Sequence, residues 1–351
     1  MSLQSSENET RRASLADVAR LAGCSPATVS RRLNNPSAVG PDVTRAIDNA
    51  IEELGYVRNE SARSLRASRS RLVGVIVPSI RHSIYADLLC GLQTVLEKNG
   101  FALIHNTSDY NLDEEYKQAR TLVERGVEAL VLVGLRHRGK LFELLKAHNV
   151  TCVITYALQE DFKISSVGFD NRRAAGLAAT RLYELGHRRF AMLAGITANN
   201  DRAQARVDGF VETLKTLGVS KSDIMIREAD YQIKAGQQAM ASLLDEDAQR
   251  PTALFCGSDV LAIGAMAECR RRDIRVPEDM SIIGFDNLEI SAYVYPPLST
   301  LNVPAYEMGE EAAKYICHSE PGRTAPKRIE LNVEYVDRGT TQEVAQPVND
   351  N

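Results

Sequence analysis

The sequence lacks the cysteine and histidine spacings that mark metal sites and disulfide frameworks. Its six cysteines are scattered along the chain, with no Cys-x-x-Cys pair and no histidine at ligand spacing. We therefore expect reduced thiols in an intracellular protein, with no bound metal and no cofactor.

Long hydrophobic runs are also missing. The longest apolar stretches, such as 72–78 and 129–135, have the length of strands, and the polar segment 1–12 has no apolar core of a secretory signal. We therefore expect no membrane segment and a cytoplasmic location.

The usual motifs of enzymes are absent as well. No Gly-x-Gly-x-x-Gly fingerprint follows the first strand, and there is no Gly-x-Ser-x-Gly elbow. Residues 134–140 approach a phosphate-binding loop, but Leu141 stands where a Ser or Thr hydroxyl would coordinate magnesium. The absence of these motifs does not exclude an enzyme, but it removes the usual reasons to propose one. We expect a protein that is not an enzyme and has no catalytic residues.

The charge is distributed unevenly along an otherwise ordinary globular composition. The chain has 351 residues and a net charge of -4, yet residues 11–71 hold 11 Arg, no Lys and 6 Asp or Glu, a net charge of 11 - 6 = +5. The remainder carries -4 - 5 = -9. A basic segment on an acidic body is typical of a phosphate-binding module, although a solvated arginine-rich helix face gives the same charge.

The basic segment has the start and stop signals of three helices. Ser14 and Ser25 are placed to cap two short helices that are joined by a turn at Gly23. A third helix is predicted from Gly40-Pro41 to Gly55. Two short helices joined by a tight turn form a helix-turn-helix.

The second helix has an outward surface suited to DNA. If Val29 and Leu33 face the core, the outward positions hold small, hydroxyl or basic side chains, which allow close approach, phosphate contacts and guanine recognition. The alternative is a three-helix bundle with a charged exterior. The predicted DNA-contact positions are Ser25, Pro26, Ala27, Thr28, Ser30, Arg31 and Asn34.

From residue 72 onward, short apolar strands alternate with amphipathic segments of helical length. Predicted strands lie at 72–77, 101–105, 128–133 and 150–155, and again at 190–194, 224–227, 253–256 and 281–285. Two such runs predict two lobes with parallel sheets and a cleft at the carboxyl ends of the strands.

The chain resembles the lactose-repressor/galactose-repressor (LacI/GalR) family over nearly its whole length. The similarity in the basic segment lies at 14–34, which includes Thr-Val-Ser-Arg, at 52–56 (Glu-Glu-Leu-Gly-Tyr) and at 59–66. In the body it lies at 167–171, 185–188, 206–210, 258–262, 283–287 and 297–301.

The resemblance implies an α/β protein with an N-terminal helix-turn-helix head, a hinge helix, and a two-lobed core like the periplasmic sugar-binding proteins. It implies that Ala62 and Leu65 of the hinge contact the minor groove, where an apolar wedge bends the duplex. The implied partners are a palindromic operator in double-stranded DNA, a second copy of the chain, and a small effector, a sugar or sugar acid.

The resemblance also implies the effector contacts. Arg206 and Asp286 match polar residues of the family's cleft, with Ser258, Tyr231 and Tyr85 beside them. Taken alone, Asp286 is equally suited to capping, Tyr231 to a core, and Arg206 with Arg202 to a solvated helix face. The predicted effector residues are Tyr85, Tyr156, Phe169, Arg202, Arg206, Tyr231, Ser258 and Asp286.

The expected layout has a polar tail at 1–13, the head at 14–58 and the hinge at 59–71. The core follows at 72–340, and a C-terminal tail at 341–351. Within the core we expect lobe 1 at about 72–169 and 300–325, and lobe 2 at about 170–299 and 326–340.

Overall fold

The structure is a computed structural model and describes residues 12–57, 70–81, 83–160, 163–246, 250–320 and 324–344. The chain divides into two compact units at Ser70, and each is described by itself.

The first unit contains three α-helices, α1 (Leu15–Leu21), α2 (Pro26–Asn34) and α3 (Pro41–Leu54). Ser14 and Asp17 form a capping box at the start of α1, which satisfies backbone donors that the helix leaves free. Ser25 caps α2 by accepting a hydrogen bond from the Thr28 amide, at 3.1 Å. Gly23 adopts the left-handed conformation between α1 and α2, at φ +62°. The predicted helix-turn-helix is therefore present.

The second unit is built on two parallel sheets. The first contains β1 (Leu72–Val77), β2 (Ala102–Thr107), β3 (Ala129–Val133), β4 (Thr151–Thr155), β5 (Ser165–Gly168) and β11 (Arg328–Glu330), in the order β11-β5-β4-β3-β1-β2. The second contains β6 (Phe190–Gly195), β7 (Ile224–Ala229), β8 (Ala253–Cys256) and β9 (Ser281–Ile283), in the order β7-β6-β8-β9.

Helices make most of the connections between the parallel strands, whereas β4 and β5 are joined without a helix. The helices are α4 (Ser83–Lys98), α5 (Leu112–Glu124), α6 (Gly139–Ala147), α7 (Asn171–Glu184), α8 (Asp201–Thr216), α9 (Ile233–Glu246), α10 (Asp259–Arg271) and α11 (Ala305–Cys317). The strands β10 (Thr300–Asn302) and β12 (Glu334–Val336) form a separate antiparallel pair.

The cores of the sheets are apolar and closely packed. Val75, Val131 and Val153 are fully buried in the first sheet, and Phe190 and Phe255 in the second. The eight strands predicted from the sequence match the observed strands β1–β4 and β6–β9 to within two residues at each end. The short strand β5 was not predicted.

One expected assignment is wrong. The segment from residue 326 was expected to return to lobe 2, but β11 pairs in parallel with β5 in the sheet of lobe 1, with Ile329 opposite Val167. Backbone hydrogen bonds from Ser166 to Lys327 and from Leu331 to Gly168 extend this pairing, because the edge of β5 needs partners for its amides and carbonyls. The chain reaches the second sheet only later, where the Ile282 amide donates to the carbonyl of Thr340.

No helix in the described ranges is long and apolar enough to cross a membrane.

Candidate functional sites

The outer surface of α2 carries the predicted DNA-contact side chains. Val29 is fully buried and Leu33 packs against the head's core, so the opposite side of the helix faces solvent. Of the predicted positions, Thr28 and Ser30 are half-buried and the others are exposed, namely Ser25, Pro26, Ala27, Arg31 and Asn34. Ala62 and Leu65 lie outside the described residues.

Arg31 differs from its neighbouring arginines in its partners. Arg20, Arg32 and Arg45 form ion pairs with nearby aspartates of the head. Arg31 forms no ion pair with any residue that the structure describes. Its guanidinium is therefore available for a phosphate or a guanine edge.

The second unit has a cleft at the carboxyl ends of its strands. Tyr85 follows β1, Tyr156 follows β4, and Phe169 follows β5, while Tyr231, Ser258 and Asp286 follow β7, β8 and β9, with Arg202 and Arg206 on α8. Parallel strands bring their carboxyl ends to one edge, so these side chains meet. All eight predicted effector residues line the cleft.

Both arginines on α8 are buried, which rules out the solvated helix face. One terminal nitrogen of Arg202, Nη1, donates to the Val133 carbonyl and to Asp201 Oδ1, each at 3.1 Å. Arg206 donates through Nη1 to Asn171 Oδ1 at 2.8 Å and through Nη2 to the Tyr231 hydroxyl at 3.0 Å. The Arg206 guanidinium also lies over the Phe285 ring, 4.6 Å from its centroid.

Asp286 closes the opposite side of the cleft. Its backbone has a φ of +116°, outside the conformations that side chains usually allow. The Ser258 hydroxyl donates to Asp286 Oδ2 at 3.0 Å. Burial, and secondly the charge of Asp259, raise the pKa of Asp286 well above its usual range.

Asp259 is fully buried behind Asp286 at the start of α10. It accepts hydrogen bonds from the Leu288 amide at 2.8 Å and the Ser291 hydroxyl at 2.6 Å. A third comes from Thr300 at 2.5 Å. Burial raises the Asp259 pKa, and these hydrogen bonds oppose the rise.

Four tyrosines supply the aromatic walls. Tyr85 and Tyr156 meet edge to face with centroids 5.3 Å apart, and Tyr110 stacks on Tyr231 at 6.4 Å. Tyr156 is anchored by a 2.8 Å hydrogen bond from its hydroxyl to the Ile84 carbonyl. Burial raises the pKa of Tyr85 and Tyr110, which keeps both phenols neutral.

Sequence reasoning missed several residues that line the cleft. Tyr110 follows Asp109 in a turn where both residues have positive φ, so no helix or strand pattern marks it. Asn200 caps α8 through a 3.3 Å hydrogen bond from the Ala203 amide, and this cap was the available signal. Other lining residues that were not predicted are Ile84, Gly257, Val260, Phe285 and Leu288.

The two lobes meet directly beside the cleft. The Leu135 amide, after β3, donates to Asp201 Oδ2 on α8 at 3.0 Å. Gly134 has a φ of +87°, and an added Cβ would overlap the Arg202 guanidinium. Backbone of lobe 1 therefore contacts the Asp201–Arg202 ion pair of lobe 2.

No cluster of three or more metal-ligating side chains occurs in the part of the chain that the structure describes.

A helix-turn-helix unit joined to a two-lobed core with a polar, aromatic cleft defines the class of ligand-responsive DNA-binding regulators. Comparison with known proteins agrees. The model for bacterial regulatory proteins of the lacI family matches residues 14–59, and the model for a periplasmic binding protein-like domain matches residues 179–341.

Two curated relatives span almost the whole chain. The HTH-type transcriptional repressor CytR of Escherichia coli (strain K12) is 31% identical over 331 residues, 94% of this chain and 96% of CytR. Catabolite control protein A of Priestia megaterium is 33% identical over 300 residues, 86% of this chain and 90% of that protein.

Solved structures of LacI-family regulators are also similar to this chain. The lac repressor dimer bound to operator and the anti-inducer ONPF has a TM-score of 0.83 at 26% identity, with 95% of this chain and 100% of that chain covered. A LacI family regulator from Enterococcus faecium with bound ribose has a TM-score of 0.69 at 25% identity, with 78% and 100% covered.

The chain belongs to the LacI family of DNA-binding, effector-regulated transcriptional repressors. Relatives such as CytR are transcriptional repressors and not enzymes.

Proposed function

We propose that this protein represses transcription in the cytoplasm by binding a palindromic operator as a homodimer. In this proposal α2 enters the major groove, and the hinge residues Ala62 and Leu65 contact the minor groove. A sugar or sugar acid in the cleft of the core alters the affinity for the operator.

The DNA role is supported by the surface of α2. Small side chains at Pro26 and Ala27 permit close approach to base edges, and Ser30 and Thr28 offer hydroxyls. Arg31 adds a guanidinium that no aspartate of the described head engages. Two copies of the head, related by two-fold symmetry, suit two half-sites of a palindrome.

The effector role rests on one observation, the convergence of all eight predicted residues on a single cleft. Arg206, Asp286 and Ser258 supply donors and acceptors for hydroxyl groups, and the tyrosine rings supply apolar faces for a sugar ring. The ribose-bound regulator from Enterococcus faecium, which has this fold, is a precedent for a sugar.

Closure of the lobes is the step that we propose the effector controls. The contacts of Leu135 with Asp201 and of Arg202 with Val133 join the lobes beside the cleft. A ligand that binds one degree of closure more tightly shifts the population toward it, and the dimer transmits that shift to the hinges.

We propose the head at 14–58, the hinge at 59–71 and the core at 72–340. Within the core, we propose that lobe 2 resumes after β11 and not at residue 326, because β11 pairs with β5 of lobe 1.

Operator binding tests the proposal. An operator is first selected from random DNA with the full-length chain, and affinity is then measured by fluorescence anisotropy. Arg31→Ala should weaken binding, while Arg45→Ala, an arginine paired with Asp42 on α3, is the matched control. Equal binding by wild type and Arg31→Ala would refute the role of α2.

Effector control has a separate test. Ligands that raise the Tm of the wild type in a panel of sugars and sugar acids are added to the operator assay. The affinity should change with at least one of them, and the change should disappear in Asp286→Ala.

A further inference from the structure

The segment 134–140, which approaches a phosphate-binding loop in sequence, is folded around a buried histidine. The side chain of His137 has no exposed surface, and its ring packs edge to face on Phe142 with the centroids 5.5 Å apart. Its Nδ1 atom lies 2.8 Å from Oε2 of Glu115 on α5, and its Nε2 atom lies 2.8 Å from the carbonyl oxygen of Gly134. Both ring nitrogens of this buried histidine therefore face oxygen atoms.

This geometry fixes the number of protons that the histidine and the carboxyl group share. A neutral imidazole has one N–H donor and one acceptor nitrogen, while a carbonyl oxygen only accepts. Both hydrogen bonds of His137 form when the ring is an imidazolium beside a carboxylate, or when a protonated Glu115 donates to Nδ1 and the ring donates from Nε2. In either form the pair has no net charge. After the pair loses one proton, one ring nitrogen faces an oxygen with no hydrogen between them.

The contact with Gly134 places this proton next to the junction of the lobes. Gly134 has a φ of +87°, and an added Cβ there would overlap the guanidinium of Arg202 in lobe 2. The following amide, that of Leu135, donates to Asp201 Oδ2 at 3.0 Å. The preceding carbonyl, that of Val133, accepts from Arg202 Nη1 at 3.1 Å. Three successive residues of lobe 1 thus contact one ion pair of lobe 2, and the histidine ring holds the middle residue.

The other titratable and charged groups around the pair have different roles. Burial, and secondly the charge of the Glu115 carboxyl, raise the pKa of Cys152 on β4 to about 12, so this thiol stays neutral. Arg138 forms an exposed ion pair with Asp113 on α5, at 2.6 Å. Arg136 is exposed to solvent. The proton that both hydrogen bonds of the ring require is therefore carried by the histidine and its carboxyl partner.

We propose that His137 and Glu115 form a proton-dependent switch on the contact between the lobes. While the pair retains its proton, the ring holds the Gly134 carbonyl, and the loop presents the Leu135 amide to Asp201. As the pH rises and the proton is lost, one hydrogen bond of the ring is lost with it, the loop is released, and the lobes separate more readily. Because coupling is reciprocal, separation of the lobes weakens the hold on the proton.

This inference goes beyond the proposed function, since the switch acts in the ligand-free protein. Only its consequence for the effector rests on the proposed function. An effector that binds the closed form should bind less tightly after the proton is lost, because closure must then restore the missing hydrogen bond.

Hydrogen exchange at the Leu135 amide tests the switch without a ligand, because this amide donates to the other lobe. Its protection is measured on the full-length protein from about pH 5 to about pH 8, where histidines change their charge, and is corrected for the intrinsic effect of pH on exchange. We expect protection to fall by at least about ten-fold as the pH rises, since one proton shifts an equilibrium by up to ten-fold per pH unit. The amide of Leu132, which is buried in β3, is the internal reference and should keep its protection. Constant protection of Leu135 would overturn the inference.

Glu115→Gln separates the proton from the hydrogen bonds. The amide group of the new side chain can donate to Nδ1 while a neutral ring donates to the Gly134 carbonyl, so both hydrogen bonds persist without a titrating proton. We expect this variant to protect the Leu135 amide equally at both ends of the pH range. A fall as large as that of the wild type would overturn the inference.

Two histidine variants complete the set. His137→Leu removes both hydrogen bonds of the ring, so the Leu135 amide should exchange rapidly at every pH, and protection equal to that of the wild type at about pH 5 would overturn the inference. His148 is exposed at the end of α6, and His148→Gln is the matched control that should keep the pH dependence of the wild type. Loss of that dependence in the control would place the titrating group elsewhere and overturn the inference. If His137→Leu does not fold, Glu115→Gln decides alone.

Discussion

In the head, Arg31 stands on the exposed surface of α2, whereas Arg202 and Arg206 lie buried in the cleft of the core. The same type of side chain therefore lies in two different environments. An exposed arginine stays hydrated until a phosphate or base replaces the water, so its contribution depends on salt. A buried arginine has lost its water already, and the structure must hold a specific partner for it or leave room for one.

The largest effect is expected at the buried cation. Arg206→Gln should reduce the affinity for the effector by about 2–4 kcal/mol, roughly 30-fold to 1000-fold, because a charge-assisted contact in a desolvated site is lost. Calorimetry with a sugar or sugar acid that binds the wild type measures this loss. A change no larger than that of the exposed control Arg275→Gln would remove the distinction between the two kinds of arginine.

A buried histidine sharpens the same contrast, because histidine can avoid a buried charge by releasing its proton. His187 is buried beside Thr252, whose hydroxyl is 2.9 Å from Nδ1, and burial lowers its pKa to about 4 from an ordinary 6.5. The unfolded chain therefore binds a proton at His187 as the pH falls below 6.5, while the folded chain binds it only near pH 4.

Folding stability should consequently fall between pH 6.5 and 4, by about 2 kcal/mol from this group at pH 4.5. Urea unfolding of wild type and His187→Gln at pH 7 and 4.5 measures the difference. His187→Gln should lose less stability on acidification than the wild type. Parallel losses would show that His187 is not buried in its neutral form.

The exposed arginine of α2 should have a smaller effect, expressed in DNA binding alone. Arg31→Ala should weaken operator binding by about 1–3 kcal/mol and leave the thermal stability unchanged, because the side chain has no ion pair in the described head. Anisotropy at several salt concentrations gives both the affinity and its salt dependence. A loss of stability without a loss of affinity would make Arg31 a structural residue.

The smallest effect is expected where an exposed arginine already has a partner. Arg45 and Asp42 are 76% and 91% exposed in their side chains. Arg45→Ala should change the free energy of unfolding by less than about 0.5 kcal/mol, since exposed ion pairs contribute little. A larger loss in chemical denaturation would show that surface pairs stabilise the head more than we assume.

Much of the fold was predictable because the local signals agree with the tertiary structure. Ser14, Ser25 and Gly23 act as the caps and turn that their residue types predict. The strands of the core were found from their apolar runs. The strand β5 was missed because Ser165-Ser166-Val167-Gly168 contains a single large apolar residue, although all of it is buried.

The error at β11 has a related cause. Arg328-Ile329-Glu330 alternates polar and apolar residues at the edge of a sheet, so nothing in the segment indicates which of the two sheets it joins. The sheet that β11 joins is determined by the available edge of β5. That strand lies far away in the sequence and was itself not predicted.

The sequence predicted which residues line the cleft, but it did not predict their hydrogen-bond and ion-pair partners. Its eight residues follow from strand ends and from the family pattern. Arg202 pairs with Asp201, and Arg206 donates hydrogen bonds to Asn171 and Tyr231. These contacts depend on distances between side chains that no spacing in the sequence reports. Tyr110 was missed because it lies in an irregular turn.

The central claim is tested most directly by the operator affinity of the full-length wild type and of Arg206→Gln, each with and without a sugar or sugar acid that binds the wild type. We predict that both proteins bind the operator equally without ligand, and that the ligand changes the affinity of the wild type by at least about ten-fold and that of the variant hardly at all. An equal response of both proteins to the ligand would contradict the account.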